Sequence, residues 1–496
     1  MKKQKSNPFW GIGESKNFGK VAISYAAGED VVLDQQLVQY ECLVNKAHVV
    51  MLFKQGLITK KVAGKLLQGL DEIAALDKEG KFKLQLELED VHSNVEQYLI
   101  KKYGIEVGGY LRLGIARNDQ IYTDTRLWLK DKLLVLCQEL LYLVKGLISV
   151  AQHHVKTVMP GYTHLRISQP ITYGHWLVAK AYHFIDDLND LLNIYEFANQ
   201  CPLGIFEMAG THLPIDRKLT AQLLGFKKST ANSLYTANQR GELEVKLLSV
   251  FSLLALHIRR TMTEVIIFST HEFQLLKIDD LYTTGGTAQP NLKNPDTLEV
   301  VRANMAKMSV GLIETLMIMD PLPSGFNRDT QQTKPILFST VDMMIKTLPV
   351  VVGILTSLTP NKEKMLKTAQ LNFSVAPDVA IQLCVKGGVS FRQAYAMVKA
   401  LIKDGYLKKS FSELTPDLVA KLISQKEIDQ VSTAKACVFS HTSLGGPAPV
   451  EVKKQIKQID LQVNNWQEKI KKQQQVKVKA LDVLEKSIGA INPKMG

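Results

Sequence analysis

The stretch GYTHLRISQP, residues 161–170, places Thr163 and His164 after a Pro-Gly turn and ahead of a long helical pattern. An imidazole there can give or take a proton near neutral pH; bonded to backbone, it would be an ordinary loop histidine. In LEDVHSNVEQYL, residues 88–99, Asp90, His92 and Asn94 gather at the head of a helix. They serve equally as a polar site or as an N-cap with a solvated first turn. In LGIARNDQ, residues 113–120, Arg117 and Asn118 can fork a carboxylate, or Arg117 can pair with Asp119 or Asp124. The glycine-rich loop TTGGTAQPNLKNPD, residues 283–296, carries Thr287 and Asn294 and can close over an anion with backbone donors. FNRDTQQTKP, residues 326–335, offers Asn327, Gln331 and Lys334, either to a site or as a solvated connector.

Long helices must hold these loops. Leu127, Leu134, Leu141 and Ile148 recur at sevens within 124–150. Leu243, Leu247, Val250, Leu254, Ile258, Met262 and Val265 recur at threes and fours within 242–268. Residues 171–193 and 296–319 are two more helical lengths, the second entered by Pro295 and Asp296. Strand signals are few and short. The reading is all-α, with a bundle several turns deep and loops converging at its poles. Domain limits fall near 113 and 365, giving an N-terminal helical unit (1–113), a long-helix core (114–365) and a C-terminal helical unit (366–496).

The chain has 496 residues, 46% hydrophobic and 22% charged, so a large core is available. A formal charge of +13 admits nucleic acid, a membrane surface or a small anion. Part of the excess lies in the tail, where Lys453, Lys454, Lys457, Lys469, Lys471 and Lys472 flank an apolar spacing through Ile456, Ile459, Leu461, Val463 and Trp466. That is the pattern of a solvated helix face. No aromatic run accompanies a basic stripe, which sets nucleic acid aside. The apolar run near 250–256 is too short to span a bilayer, and MKKQKSNPFW is no signal peptide. Five scattered cysteines without a CxxC fit a reducing compartment, with neither disulfides nor a zinc site. A cytoplasmic protein is expected.

Taken in order, these stretches resemble the argininosuccinate lyases of the fumarase/aspartase superfamily. PLGIFEMAGTHLPIDR (202–217), ANSLYTANQR (231–240), FSTHEF (268–273), GGVSFRQAY (387–395) and HTSLGGPAPVEV (441–452) extend the likeness from about Phe9 to Val452. The resemblance implies a fumarase/aspartase-like fold of three helical domains, whose central long-helix bundle forms the core of a homotetramer. It implies active sites built from three subunits and a β-elimination that splits a C–N bond and releases fumarate. No metal or organic cofactor is implied. By position, His164 with Thr163 matches the family's proton-transfer pair. Arg117 and Asn118 match substrate carboxylate contacts, and Asn294, Gln331 and Lys334 match further binding positions.

The chain also departs from the family's pattern. Gly286 stands where the base serine of the signature loop belongs, and Thr287 replaces the second serine. Gln289 replaces a methionine, and Leu292 replaces the lysine that would steady the dianion, with Lys293 one place later. Arg112-Leu113-Gly114-Ile115-Ala116 replaces a more polar run before Arg117, Asn238-Gln239 replaces serine-aspartate before Arg240, and Phe326 replaces a tyrosine. Trp10-Gly11-Ile12-Gly13-Glu14 replaces a Trp-Gly-Gly-Arg-Phe pattern. A glycine cannot abstract a proton, and Thr287 becomes the candidate base only if the loop shifts by one residue and something lowers its pKa. Two outcomes are open: a lyase with an altered loop, or a catalytically impaired homologue with a binding or structural role.

Overall fold

The computed structural model describes residues 20–403 and 422–491; the Trp10–Glu14 pattern lies outside them. Helices dominate. The first group is α1 (Lys20–Asp34), α2 (Val38–Lys54), α3 (Lys60–Lys78), α4 (Val91–Tyr103) and the short α5 (Ile105–Gly108). The long helices are α6 (Arg117–His153), α7 (Tyr173–Ala198), α10 (Glu242–Ser269), α11 (Asp296–Met319) and α12 (Thr333–Ser357), with short α8 (Arg217–Leu223) and α9 (Ser233–Asn238) between them. The last group is α13 (Lys362–Ala369), α14 (Ala376–Gly387), α15 (Phe391–Lys403), α16 (Gln425–Asp429), α17 (Ala434–Ser440) and α18 (Pro449–Ile491).

The apolar spacing read from sequence is the reason the long helices pack. Leu134, Leu141 and Ile148 of the α6 heptad, Leu177 and Phe184 of α7, and Leu247 and Leu254 of α10 are all buried in one continuous core, while Leu127 packs in a second core. Trp128 of α6 stacks on Phe338 of α12 with centroids 4.2 Å apart, an arrangement adding about 0.5–1.5 kcal/mol beyond area burial. By length and hydropathy α6 and residues 328–357 could each cross a bilayer. They are core helices of the bundle, however, and α6 buries Asp119, Asp124, Arg126 and Lys130. A second core joins α2, α3 and α4 to Leu484, Ile488 and Ile491 at the far end of α18. The tail helix thus lies along both cores. It buries Ile456, Ile459, Val463, Trp466 and Ile470, while its lysines face solvent. Leu461, read with the apolar stripe, is exposed.

Strands are short, with one consequential exception. β1 (Val158–Thr163) and β2 (Arg166–Thr172) form an antiparallel hairpin immediately before α7. Thr172 then caps α7, its hydroxyl accepting from the His175 amide at 3.0 Å.

Candidate active site

Where the helices of the first group meet α6 and α12, a small pocket is lined by Asp30, Asp34, Glu89, Asp90, Arg117, Asn118, Arg240, Phe326, Arg328, Gln331 and Lys334, among others. Its volume is about 50 Å³, room for a few waters. The side chains that fill it hold one another in ion pairs.

Each lining residue is placed by a local rule. Asp90 caps α4, Oδ1 accepting from the Ser93 amide at 2.8 Å, so the capping reading of residues 90–94 holds for Asp90. Its other oxygen accepts from Arg117 Nη1 at 3.2 Å. Arg117 therefore pairs with Asp90, and at 3.7 Å with Glu89. Glu89 has φ of +66°, a region costly for a side chain that long, and this aims its carboxylate at Arg117 and, at 3.3 Å, at Arg328. Asp119 ties the start of α6 to the 202–206 loop by accepting from the Ala116, Gly204 and Phe206 amides. Asn118 beside it donates to Glu207. Gln331 Nε2 donates to the Ala26 carbonyl at 2.7 Å. Lys334 Nζ lies 2.5 Å from Asp30 and 2.6 Å from Asp34. Burial works against the Lys334 charge, but Asp34 and Asp30 outweigh it and raise its pKa.

Beneath the pocket lies a wholly buried trio. His92 Nδ1 is 2.8 Å from Glu41 Oε2 and 3.9 Å from Asp124 Oδ2. Burial, and then the Glu41 charge, push Asp124 well above the carboxylate range. Burial also disfavours the Glu41 carboxylate, but His92 overcomes this and holds it below the usual value. The trio thus sets a raised Asp124 against a lowered Glu41. Asn94 is structural here, accepting from the Gln85 amide at 2.8 Å and donating to the Asp90 carbonyl at 2.8 Å.

Arg117, Asn118, Gln331 and Lys334 are thereby brought together. Thr163, His164, Thr287 and Asn294 are not among the residues lining that pocket. His164 and Leu165 are the two central residues of the β1–β2 turn, with φ of +54° and +57°. Both positions require positive φ in the tight hairpin turn that matches strand twist, an uncommon conformation for non-glycine residues. His164 is accordingly exposed at a hairpin tip. The 283–296 loop forms a second small hairpin, Thr284–Gly285 against Lys293–Asn294. Thr287 is exposed at its end, and Lys293 pairs with Asp280 at 2.7 Å. A Cβ built on Gly286 would lie 2.8 Å from the Gln289 carbonyl oxygen, so this loop shape has no room for a serine there. Sequence reasoning did not single out Asp30, Asp34, Glu89 or Arg328. The only local signal was acidic residues spaced four apart on α1.

The fold is a nearly all-helical bundle with a charged pocket where α1, α6 and α12 meet, and its likeness to known proteins places it among the helical lyases. The Lyase family model matches residues 18–310. Argininosuccinate lyase of Ehrlichia ruminantium (strain Welgevonden) is 34% identical over 91% of this chain and 98% of its own length. That of Bacillus cereus (strain ATCC 10987 / NRS 248) is 36% identical over 86% and 92%. An EDDS lyase in complex with formate superposes with a TM-score of 0.82 at 25% identity, covering 95% of each chain. A class II fumarase from Schistosoma mansoni shares the fold, with a TM-score of 0.71 at 15% identity over 85% of this chain and 95% of its own. The chain belongs to the argininosuccinate lyase family of the fumarase/aspartase superfamily, and it is a carbon–nitrogen lyase of that type.

Proposed function

We propose that this lyase eliminates fumarate from argininosuccinate or a closely related N-substituted aspartate. The observation that carries the reading is the pocket's balance of charge. Arg117, Arg240, Arg328 and Lys334 face Asp30, Asp34, Glu89 and Asp90. Cations alone would suit a bare dicarboxylate. The four carboxylates gain a use when the substrate also brings a cation, as the guanidinium of argininosuccinate does. In the reaction a base takes the proton beside a carboxylate, that C–H pair becomes the new double bond, and the C–N bond breaks with its pair leaving on nitrogen. An acid returns a proton to that nitrogen. The intermediate dianion needs cations and hydrogen-bond donors.

His164, beside Thr163, is the proton-transfer group in this reading, with Thr287 as the base. Arg117 and Asn118 take a substrate carboxylate, and Asn294, Gln331 and Lys334 complete the binding. Because Thr163, His164, Thr287 and Asn294 sit on two hairpins and do not line the pocket, the complete site draws on neighbouring copies in a homotetramer, three subunits to a site. Val310, Ile313 and Met317 form an apolar stripe on α11 at spacings of three and four and are 62%, 58% and 72% exposed, which supports burial against another copy. All five cysteines are free, which supports a cytoplasmic setting, with a small anionic substrate and other copies of the chain as partners and neither nucleic acid nor membrane.

The Gly286 geometry favours a second reading, a homologue that binds the substrate without turning it over. One experiment separates the two. Purified protein is given argininosuccinate, fumarate is followed by ultraviolet absorbance, and binding is measured by calorimetry. Slow but saturable fumarate release supports the lyase; heat of binding without fumarate supports the second reading. Mixing two inactive variants, His164→Asn and Arg117→Ala, during refolding tests the shared site. Recovery of part of the wild-type rate is expected, and no recovery in a mixed oligomer would refute sharing.

A further inference from the structure

Far from the pocket, three side chains with metal-ligating atoms converge. Asp378 lies on α14, Cys437 on α17, and His441 one helical turn beyond Cys437. His441 Nε2 is 2.5 Å from Asp378 Oδ1 and 3.7 Å from Cys437 Sγ. All three ligating atoms lie within 4.8 Å of one another. Cys437 and Asp378 are buried, and His441 is partly exposed. We propose that Asp378, Cys437 and His441 form a binding site for a zinc-class divalent cation, with the fourth position open to water on the exposed side of His441.

Three features favour a cation over the other uses of these residue types. In a nucleophilic cysteine relay the imidazole would use two different nitrogens, one for the thiol and one for the carboxylate. Here one nitrogen faces both, which is convergence on a point. Zinc bonds of about 2.3 Å to sulfur and about 2.0 Å to nitrogen at tetrahedral angles set a sulfur–nitrogen edge of about 3.5 Å, close to the 3.7 Å found. The short histidine–aspartate contact must open, by somewhat under an ångström, for the carboxylate to become a ligand. The donor set also selects the ion. Thiolate with imidazole disfavours magnesium and calcium, which take oxygen ligands, and suits zinc or cobalt.

The surroundings are built to hold the carboxylate. Gln169 of β2 donates to Asp378 Oδ2 at 3.2 Å, the kind of outer contact that orients a ligand. Val158 of β1 packs with Ala434 and Val438 of α17. The cation would therefore join α14 to α17, the helix that packs on the hairpin carrying His164. Binding replaces the Cys437 S–H bond by a sulfur–metal bond and releases one proton to solvent. The proposal is independent of the lyase reading.

Cobalt is the probe. Chelator-stripped full-length protein titrated with Co²⁺ should develop a near-ultraviolet sulfur-to-cobalt band that saturates at one equivalent per chain and disappears on adding Zn²⁺. Cys437→Ser should abolish the band, while Cys384→Ser should leave it. Should Cys437→Ser fail to fold, His441→Ala, at a partly exposed position, serves instead and should weaken Co²⁺ binding at least tenfold. Zn²⁺ should raise the melting temperature of the wild type and not of His441→Ala. Absence of the band in the wild type, or its survival in Cys437→Ser, overturns the proposal.

Discussion

The Lys334 ammonium lies 2.6 Å from the Asp34 carboxylate, joining the second residue of α12 to the last residue of α1 across 300 positions of sequence. Lys334 is 5% exposed and Asp34 is wholly buried. With Asp30 on the same ammonium, one cation compensates two carboxylates. Removing it leaves both without their ion-pair partner in a region that also holds Asp124 and Glu41. Breaking a buried pair from one side costs about 3–5 kcal/mol, so Lys334→Ala should lower the unfolding free energy by about that amount in urea titrations. Adding Asp34→Asn to Lys334→Ala should recover part of the loss, because the two changes share one interaction. A loss under about 1 kcal/mol for Lys334→Ala, the range of a surface pair, would show that the ammonium does not anchor α1.

The Asp124–Glu41–His92 trio makes a prediction about pH. Burial and Glu41 raise the Asp124 pKa well above its unfolded value. An acid raised in the folded state stays protonated there while the unfolded chain ionises. Stability is then lost as pH climbs from the unfolded value near 4 toward the folded one. Asparagine in place of Asp124 keeps a neutral donor toward Glu41 and has nothing to ionise. The stability of Asp124→Asn relative to wild type should accordingly improve between pH 5 and pH 8, measured by denaturant unfolding at each pH. A relative stability that stays flat or worsens over that interval would mean Asp124 is ionised in the folded protein.

Much of the framework was readable from local periodicity. The helices expected over 242–268 and 296–319 are found as 242–269 and 296–319, because seven apolar residues at threes and fours, or a proline-started acidic first turn, act within a few turns of chain. The hairpin at 158–172 was not read as strands. Pro160, Gly161 and Pro170 suppress any strand pattern, and the pairing that creates it runs between β1 and β2 rather than along either. The same limit applies to the pocket. Arg117, Asn118, Gln331 and Lys334 could be named from sequence through family likeness, but Asp30 and Glu89 become site residues only when α1 and the turn before α4 fold onto α12 and α6. The cysteine spacing gave no sign of a metal site, because Cys437 meets His441 one helical turn on and Asp378 some sixty residues earlier only once α14 and α17 pack together.

Arg117 should separate binding from folding. Its side chain is 40% exposed, and its partner Asp90 keeps its capping bond to Ser93 when the arginine is gone. Arg117→Gln should therefore change stability by no more than about 1 kcal/mol. A lost charge-assisted contact to a substrate carboxylate is worth about 1.5–3 kcal/mol, so kcat/KM for fumarate release should fall about ten- to a hundredfold. Unaltered kinetics with unaltered stability would remove Arg117 from the substrate site.

The altered loop gives the sharpest kinetic test. Gly286 occupies the place of a serine, yet a Cβ there would meet the Gln289 carbonyl oxygen at 2.8 Å. The loop as folded here has no room for that side chain, so restoring one hydroxyl does not restore a base. Thr287, exposed at the loop's end, is the hydroxyl that remains. If it removes the proton, Thr287→Ala should cut turnover by about 10²-fold or more while size-exclusion chromatography shows an unchanged oligomer. Adding Gly286→Ser to Thr287→Ala should return little of that activity, because the serine must first push the 286–289 backbone apart. Full rescue by the double variant would show that the loop opens freely in solution and that position 286, not 287, faces the reacting carbon.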